Sequence, residues 1–200
     1  MDSKGYHALT CRTGGHLGIR HNALREEIFL ACRVACLCPG RETPFLLSDS
    51  LECPADVFLP CFSLGQPACL DCAVTHPQQP TYIKDASLGN CAAANRYQCE
   101  VKDKMYAEKC KENDLGFYPM VVEVFGGWGS TAVSVLRHIA KMCASRNGES
   151  DGNATSRLMQ RLSFSLQRCN ARTLLARLDP SAASLDDPMI AIANCVPIVP

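Results

Sequence analysis

The stretch "CPADVFLPCFSLGQPACLDCAVTH", residues 53–76, decides how the chain is read. Two apolar runs, ADVFLP and ACLDCAVTH, flank the turn-forming CFSLGQP, which predicts two paired strands. Pro60 is expected to close the first strand, and HPQQP the second. The second run is apolar on both faces except at Asp71, the pattern of a buried strand. Asp56 and Asp71 then fall at the same depth of a hairpin. A desolvated carboxylate needs a cation or several hydrogen bonds, and two that converge repel each other unless positive charge lies between them. A hard divalent ion with oxygen ligands, Mg²⁺ or Mn²⁺, meets that need, whereas for either aspartate alone a turn cap or an arginine partner suffices. The same stretch holds four cysteines and His76, a set that suggests zinc. Cys69 and Cys72, however, are three residues apart on a strand, so their thiols point to opposite faces, and core packing is the better expectation.

Outward from the hairpin, Leu24, Ile28, Ala31 and Ala35 form one apolar face of a helix starting near Arg20. LCPGRETP stops it, and PFLLS is expected as a short strand before the hairpin. Beyond it, GNCAAANRYQCEVKDKMYAEKCKENDLG reads as one helix with Gly116 in its C-cap region, and FYPMVVEVF as a buried strand bearing Glu123. GGWG makes a tight turn, Ser130 or Thr131 caps STAVSVLRHIAKMCA, and a last helix runs from Ala154 to Leu178. The order is helix, three strands, helix, strand, two helices, an α/β arrangement.

The chain has 200 residues, 47% hydrophobic, which suits one principal domain. Twenty basic residues balance twenty acidic ones, so affinity for nucleic acid must come from local clusters. Fourteen cysteines would suggest disulfides in a secreted protein. MDSKGYHALTCRTGG lacks the apolar core of a secretory leader, and no run of 18 apolar residues suggests a membrane span. The protein is therefore expected to be intracellular, with reduced thiols packed as small hydrophobes. The sequon at Asn153 carries no weight without secretion.

The element order, with PAD followed by LD, resembles the PD-(D/E)XK nuclease fold. More closely, the chain is similar to the restriction-like endonuclease region at the C-terminal end of reverse transcriptases of non-LTR retrotransposons. HALTCRTGG with RHNALRE, PADVFLP with LDCAVT, KDKMY, FYPMVVEVFGGWG and QRLSFSLQRCNAR carry the likeness in order across residues 7 to 178. It implies Asp56 and Asp71 as metal ligands, Lys102 as a lysine displaced onto the following helix, and Tyr106 one turn further on. In simpler members the lysine follows the second acid by two residues, a position held here by Ala73. Lys104 and Lys84 are rivals for the role, and Glu26, Glu27 and Glu123 are candidate additional acids. The implied reaction is metal-dependent hydrolysis of DNA phosphodiesters, with a nuclear location if the protein is functional. No polymerase activity is expected, since Asp186-Asp187 stands in SLDDPM.

His7 and Cys11 resemble the second half of the zinc knuckle that precedes this region in the family, so zinc is not expected from this chain alone. Arg157, Arg161, Arg168 and Arg172 line one face of the last helix, and no Asp or Glu lies between Asn153 and Leu178. That face can track phosphates, or it can be a solvated face beside Leu158, Leu162 and Cys169. Lys104 adds a further DNA contact near the proposed site. His21 is expected as a polar residue at the helix entry rather than as a DNA contact, and the Trp128 indole as closing the core rather than stacking on a base. The expected divisions are an N-terminal segment (1–17), a nuclease-like core (18–146), a basic helix (147–178) and an unassigned tail (179–200). Two other functions stand beside cleavage: an inactive remnant that binds DNA or protein, supported by the broken knuckle, the missing strand lysine and Cys53 before PAD, and, more weakly, a zinc module.

Overall fold

The computed structural model describes residues 6–11, 14–48, 50–87, 89 and 91–177, so the tail 179–200 lies outside the described residues. The hairpin pairs β2 (Val57–Ser63) with β3 (Gln66–Thr75), and its turn is only Leu64 and Gly65. Both have positive φ, 52° and 80°, as a two-residue turn requires to match the strand twist. Contrary to expectation, Pro60 does not end β2. The short β1 (Gly40–Arg41) pairs only with Val57 and Phe58, so the outer edge at Pro60 needs no donor, and the register with β3 shifts there. The first strand is thus Gly40–Arg41, and PFLLS is irregular, with Phe45 exposed at positive φ and Leu47 buried.

The sheet runs β1-β2-β3-β4, with β4 (Gly116–Glu123) parallel to β3. As the far edge strand, β4 accommodates Pro119. The β3–β4 crossover consists of a short α3 (Ile83–Ala86), α4 (Ala92–Tyr97), a π-helical turn (Gln98–Asp103) and α5 (Lys104–Glu112). The expected single helix is therefore rephased in its middle. It ends at Asn113, with Asp114 rather than a glycine at positive φ, while Gly116 opens β4.

Side-chain alternation along β3 sorts the two faces. Ala68, Leu70 and Cys72 join Val57, Leu59, Met120 and Val122 in the main core, with Trp128 among them. This face is covered by α2 (His16–Val34), α6 (Ser130–Asn147) and α7 (Asp151–Leu175). Helix α2 starts at His16, a turn before Arg20, and α6 is preceded by Gly129 without a side-chain cap. Ser130 is its first residue, and Asn95 Oδ1 accepts from the Ser130 N–H at 2.8 Å. Helix α7 starts at Asp151, before the expected Ala154, since Ser150 caps it by accepting from the Asn153 N–H.

Leu162 and Leu166 of α7 are fully buried, each contributing about 1.5–3 kcal/mol by transfer from water. The basic helix of 147–178 is thus part of the main core. Arg20, itself buried, ties α2 to α7 through Asn170 Oδ1 (2.9 Å) and to α1 (Tyr6–Thr10) through the Leu9 carbonyl (3.1 Å). On the opposite face Cys69 packs with Cys110 and Leu115, and Ala73 packs with Ala94 and Val121.

Candidate functional site

Asp71 lies on the crossover face of β3, between the Cys69 and Ala73 clusters. Tyr106 packs at the first cluster and Tyr97 at the second. Lys102 lies between these two tyrosines in sequence, four residues before Tyr106 and five after Tyr97. A π turn places residues five apart on one side of a helix, as an α-turn does residues four apart, so all three face the sheet. The Lys102 Nζ stands 2.7 Å from Asp71 Oδ2. That is ion-pair distance, but its direction leaves Oδ2 buried without a well-aligned hydrogen-bond donor among the described residues.

Asp56 sits one residue before β2. Continuing the pairing of Val57 with Leu70 by one step places it opposite Asp71. Its Oδ2 accepts from the Cys72 N–H at 2.7 Å, so the side chain takes over a ladder position. Its Oδ1 lies 3.0 Å from His21 Nε2 on α2. The site therefore forms where the hairpin frays, with α2 on one side and the π turn on the other.

Burial pushes the Asp71 carboxyl up to about 6, against the Lys102 charge that pulls it down, and Asp56 adds to the rise. Burial also works against the Lys102 ammonium, yet the Asp71 charge holds its pKa above the ordinary value. Lys102 therefore stays protonated without fully compensating the carboxylate. His21 is raised, chiefly by its hydrogen bond to Asp56. Tyr106 is raised by burial and then by the Asp71 charge, which keeps its phenol protonated at neutral pH.

The remaining candidates are placed elsewhere. Glu26 binds Arg41 through two contacts at 2.8 and 2.7 Å, and Glu27 pairs with Arg161. Glu123, buried at the end of β4, accepts from the Ala94 N–H at 3.2 Å and anchors α4. Lys104 and Lys84 are exposed on α5 and α3, leaving Lys102 as the lysine on Asp71. On α7, Arg157 pairs with Glu149 and Arg161 with Glu27, while the Arg168 guanidinium lies over the Phe164 ring and Arg172 is half-buried. The acids that neutralise the stripe thus come from α2 and from the short connection between α6 and α7, outside the acid-free segment. His7 lies in α1 and the Cys11 N–H donates to its carbonyl. His76 accepts from the Gln78 N–H and meets the Phe125 ring edge-on.

The thiols are scattered. Cys69 faces the crossover and Cys72 the main core. A hydrogen bond with Cys110 and burial raise Cys69, and burial raises Cys72, so both thiols stay protonated. His21 was missed as a site residue, although it continues the stripe Leu24, Ile28, Ala31 one step towards the N-terminus, the one available clue.

No protein-family model matches the chain, and no curated protein does. Among the described residues no helix is long and apolar enough to cross a membrane. What the arrangement offers is two opposed carboxylates, a lysine ammonium, an imidazole and a phenol, with Asp71 buried and His21 and Asp56 partly so. Hard oxygen donors of this kind suit Mg²⁺ or Mn²⁺ rather than zinc, and the Lys102 ammonium at 2.7 Å is the cation that Asp71 Oδ2 meets.

Proposed function

We propose that this protein is a retrotransposon-derived endonuclease-like domain with a PD-(D/E)XK-type core that cleaves DNA phosphodiesters with Mg²⁺ or Mn²⁺. The observation that carries the reading is the Lys102 Nζ at 2.7 Å from the buried Asp71 carboxylate, opposite Asp56 in the hairpin register. A structural pair alone does not call for a second carboxylate at that level of the sheet. Asp56 and Asp71 would hold the ion. When bound, it supplies charge neutralisation at the phosphate and a water of lowered pKa. Asp56 is held for this by the Cys72 N–H on one oxygen and His21 on the other, so its orientation is fixed before any ligand arrives. Lys102, kept protonated by Asp71, presents its ammonium to the negative charge that builds on the phosphate during attack. Tyr106 extends that polar row by one helical turn and offers a phenol proton donor. On this reading the place of action is the nucleus.

The test is nicking of supercoiled plasmid. Wild type is expected to nick with Mg²⁺ and to stop with EDTA, and Asp71→Ala to abolish nicking while keeping the far-UV circular dichroism of the wild type. Nicking that survives both EDTA and Asp71→Ala refutes the proposal.

A second reading, a remnant that binds DNA or protein without cutting, is favoured by one observation. Lys102 stands close enough to Asp71 to neutralise it internally, and the described residues hold no group of three or more His, Cys, Asp or Glu side chains arranged for a metal. Wild-type protein that binds DNA but never nicks it, with Mg²⁺ or Mn²⁺, decides for this reading. Stoichiometric zinc in the purified protein would instead support the zinc module, which the scattered thiols disfavour.

A further inference from the structure

The proposed function needs a surface that holds a polyanion, and the arginines of α7 are poorly suited to it. Arg157 and Arg161 are occupied by Glu149 and Glu27, at 2.5 and 2.7 Å. Arg168 lies half-buried against Phe164. A phosphate would have to displace these carboxylates or peel the guanidinium from its ring.

Helix α6 differs. Its buried side is Ala132, Val135, Leu136, Ile139, Ala140 and Cys143. Its outer side shows Ser130, Ser134, Arg137, Lys141 and Ser145, all exposed and separated by four, three, four and four residues, which is one helical face. No Asp or Glu occurs from Ser130 to Asn147. Among the described residues no carboxylate lies within ion-pair distance of Arg137 or Lys141. An exposed helix in a chain of balanced charge ordinarily mixes both signs and gains from pairs four apart, so a face with cations and hydroxyls alone is a local departure. The serines are short, leaving the two long cations to project furthest, about 6 Å apart along the axis. The face spans about 22 Å, roughly six base pairs of duplex at ~3.4 Å each. It also begins at the proposed site's own scaffold, because Asn95 binds the Ser130 N–H and Gln98 of the π turn donates to Thr131 Oγ1 at 2.7 Å.

We infer that the exposed Ser130–Ser145 face of α6, through Arg137 and Lys141, is the surface that binds the phosphate backbone of duplex DNA, with α7 serving as its internal support. The inference rests on the nuclease reading for its choice of a DNA duplex. Contacts of this kind are made without regard to sequence and weaken with salt, because each neutralised phosphate releases counterions.

The experiment uses the full chain in EDTA, with fluorescence anisotropy of a labelled 20-base-pair duplex at several salt concentrations. Arg137→Gln with Lys141→Gln is expected to reduce the slope of log K against log salt by about 1.8, and affinity at 0.1 M salt by roughly 50-fold. Arg157→Gln with Arg161→Gln is expected to leave both near wild type, and the charge-keeping pair Arg137→Lys with Lys141→Arg to restore the slope. Both sites on α6 are exposed, so circular dichroism should match wild type. An unchanged slope in the α6 glutamine variant, a loss confined to the α7 variant, or tighter binding to polyglutamate than to the duplex overturns the inference. Plasmid nicking keeps the two ideas separate. An unchanged α6 slope in a protein that nicks leaves the site reading standing, and a reduced slope in a protein that never nicks leaves the α6 surface standing.

Discussion

Asp71 makes a measurable prediction about stability. Its carboxyl is pushed up to about 6 in the folded protein, against an unfolded value of about 3.9. The difference is about 2 units, or roughly 3 kcal/mol at 1.36 kcal/mol per unit. With its side chain 11% exposed, solvent screening takes little from this figure. Between pH 4 and 6 the native state binds the proton more tightly than the unfolded state. The contribution is therefore present in full below the unfolded pKa and is lost as pH rises through the folded one. Urea unfolding of wild type and Asp71→Asn in EDTA, at pH 4 and pH 7, isolates it. Wild type should lose about 2 kcal/mol more than the variant across that interval, since the unfolded carboxyl is already half ionised at pH 4, which for a chain of this size is a difference of ~4–8 °C in Tm. If the two proteins change in parallel, Asp71 is already ionised in the folded protein at pH 4, and the argument that burial outweighs Lys102 is wrong.

Metal should reverse that cost: at pH 7, Mg²⁺ at 100 times its Kd should stabilise wild type by about 2.7 kcal/mol and leave Asp71→Ala unmoved, as read by thermal unfolding. Lys102→Ala strands a buried carboxylate and should cost about 3–5 kcal/mol in urea unfolding and abolish nicking, while Lys104→Ala changes neither. Leu162→Ala should cost about 2–5 kcal/mol in a single cooperative transition, whereas a separate transition for α7 would contradict its place in the main core. The His21 imidazole, raised by Asp56, should titrate in proton NMR above the free-histidine value in wild type and fall back in Asp56→Asn, and the stability it adds should be lost as pH rises through its folded pKa.

The α/β class and the order of the main elements are legible because short apolar runs bounded by turn residues mark the hairpin and a helical period marks Leu24, Ile28, Ala31 and Ala35. Trp128 was likewise readable as a core residue. That Asp56 and Asp71 lie at about one depth follows from reading a hairpin, but their direct opposition depends on the register shift between Leu59 and Ser63, which the pattern does not show. What pattern could not show was partnership across distance. Pro60 looked like a strand end because the sequence does not show that β1 is too short to pair with it. The partners of the α7 stripe are invisible in its own pattern because Glu27 and Glu149 lie outside the acid-free segment 153–178. His21 looked like a helix-start residue because nothing local announces that α2 passes the frayed end of β2. The π turn was illegible for a different reason: its residues, QCEVKD, are ordinary helix residues, and its cause is the packing of the two halves on two clusters.

That turn acts as a phase adjuster. One extra residue in a continuous α-helix would rotate everything after it by about 100°, and the wider π turn absorbs that residue, so α4 and α5 present one face to the sheet. Deleting a single residue between Gln98 and Asp103 would restore a continuous α-helix of nearly the same length. Tyr97 and Tyr106 would then stand eight residues apart on one face and keep their packing, whereas straightening the turn to α geometry with every residue kept would rotate Tyr106 and Cys110 off Phe117 and Cys69. In this architecture the spacing between a strand acid and its lysine is set by helix phase, not by the count of residues separating them.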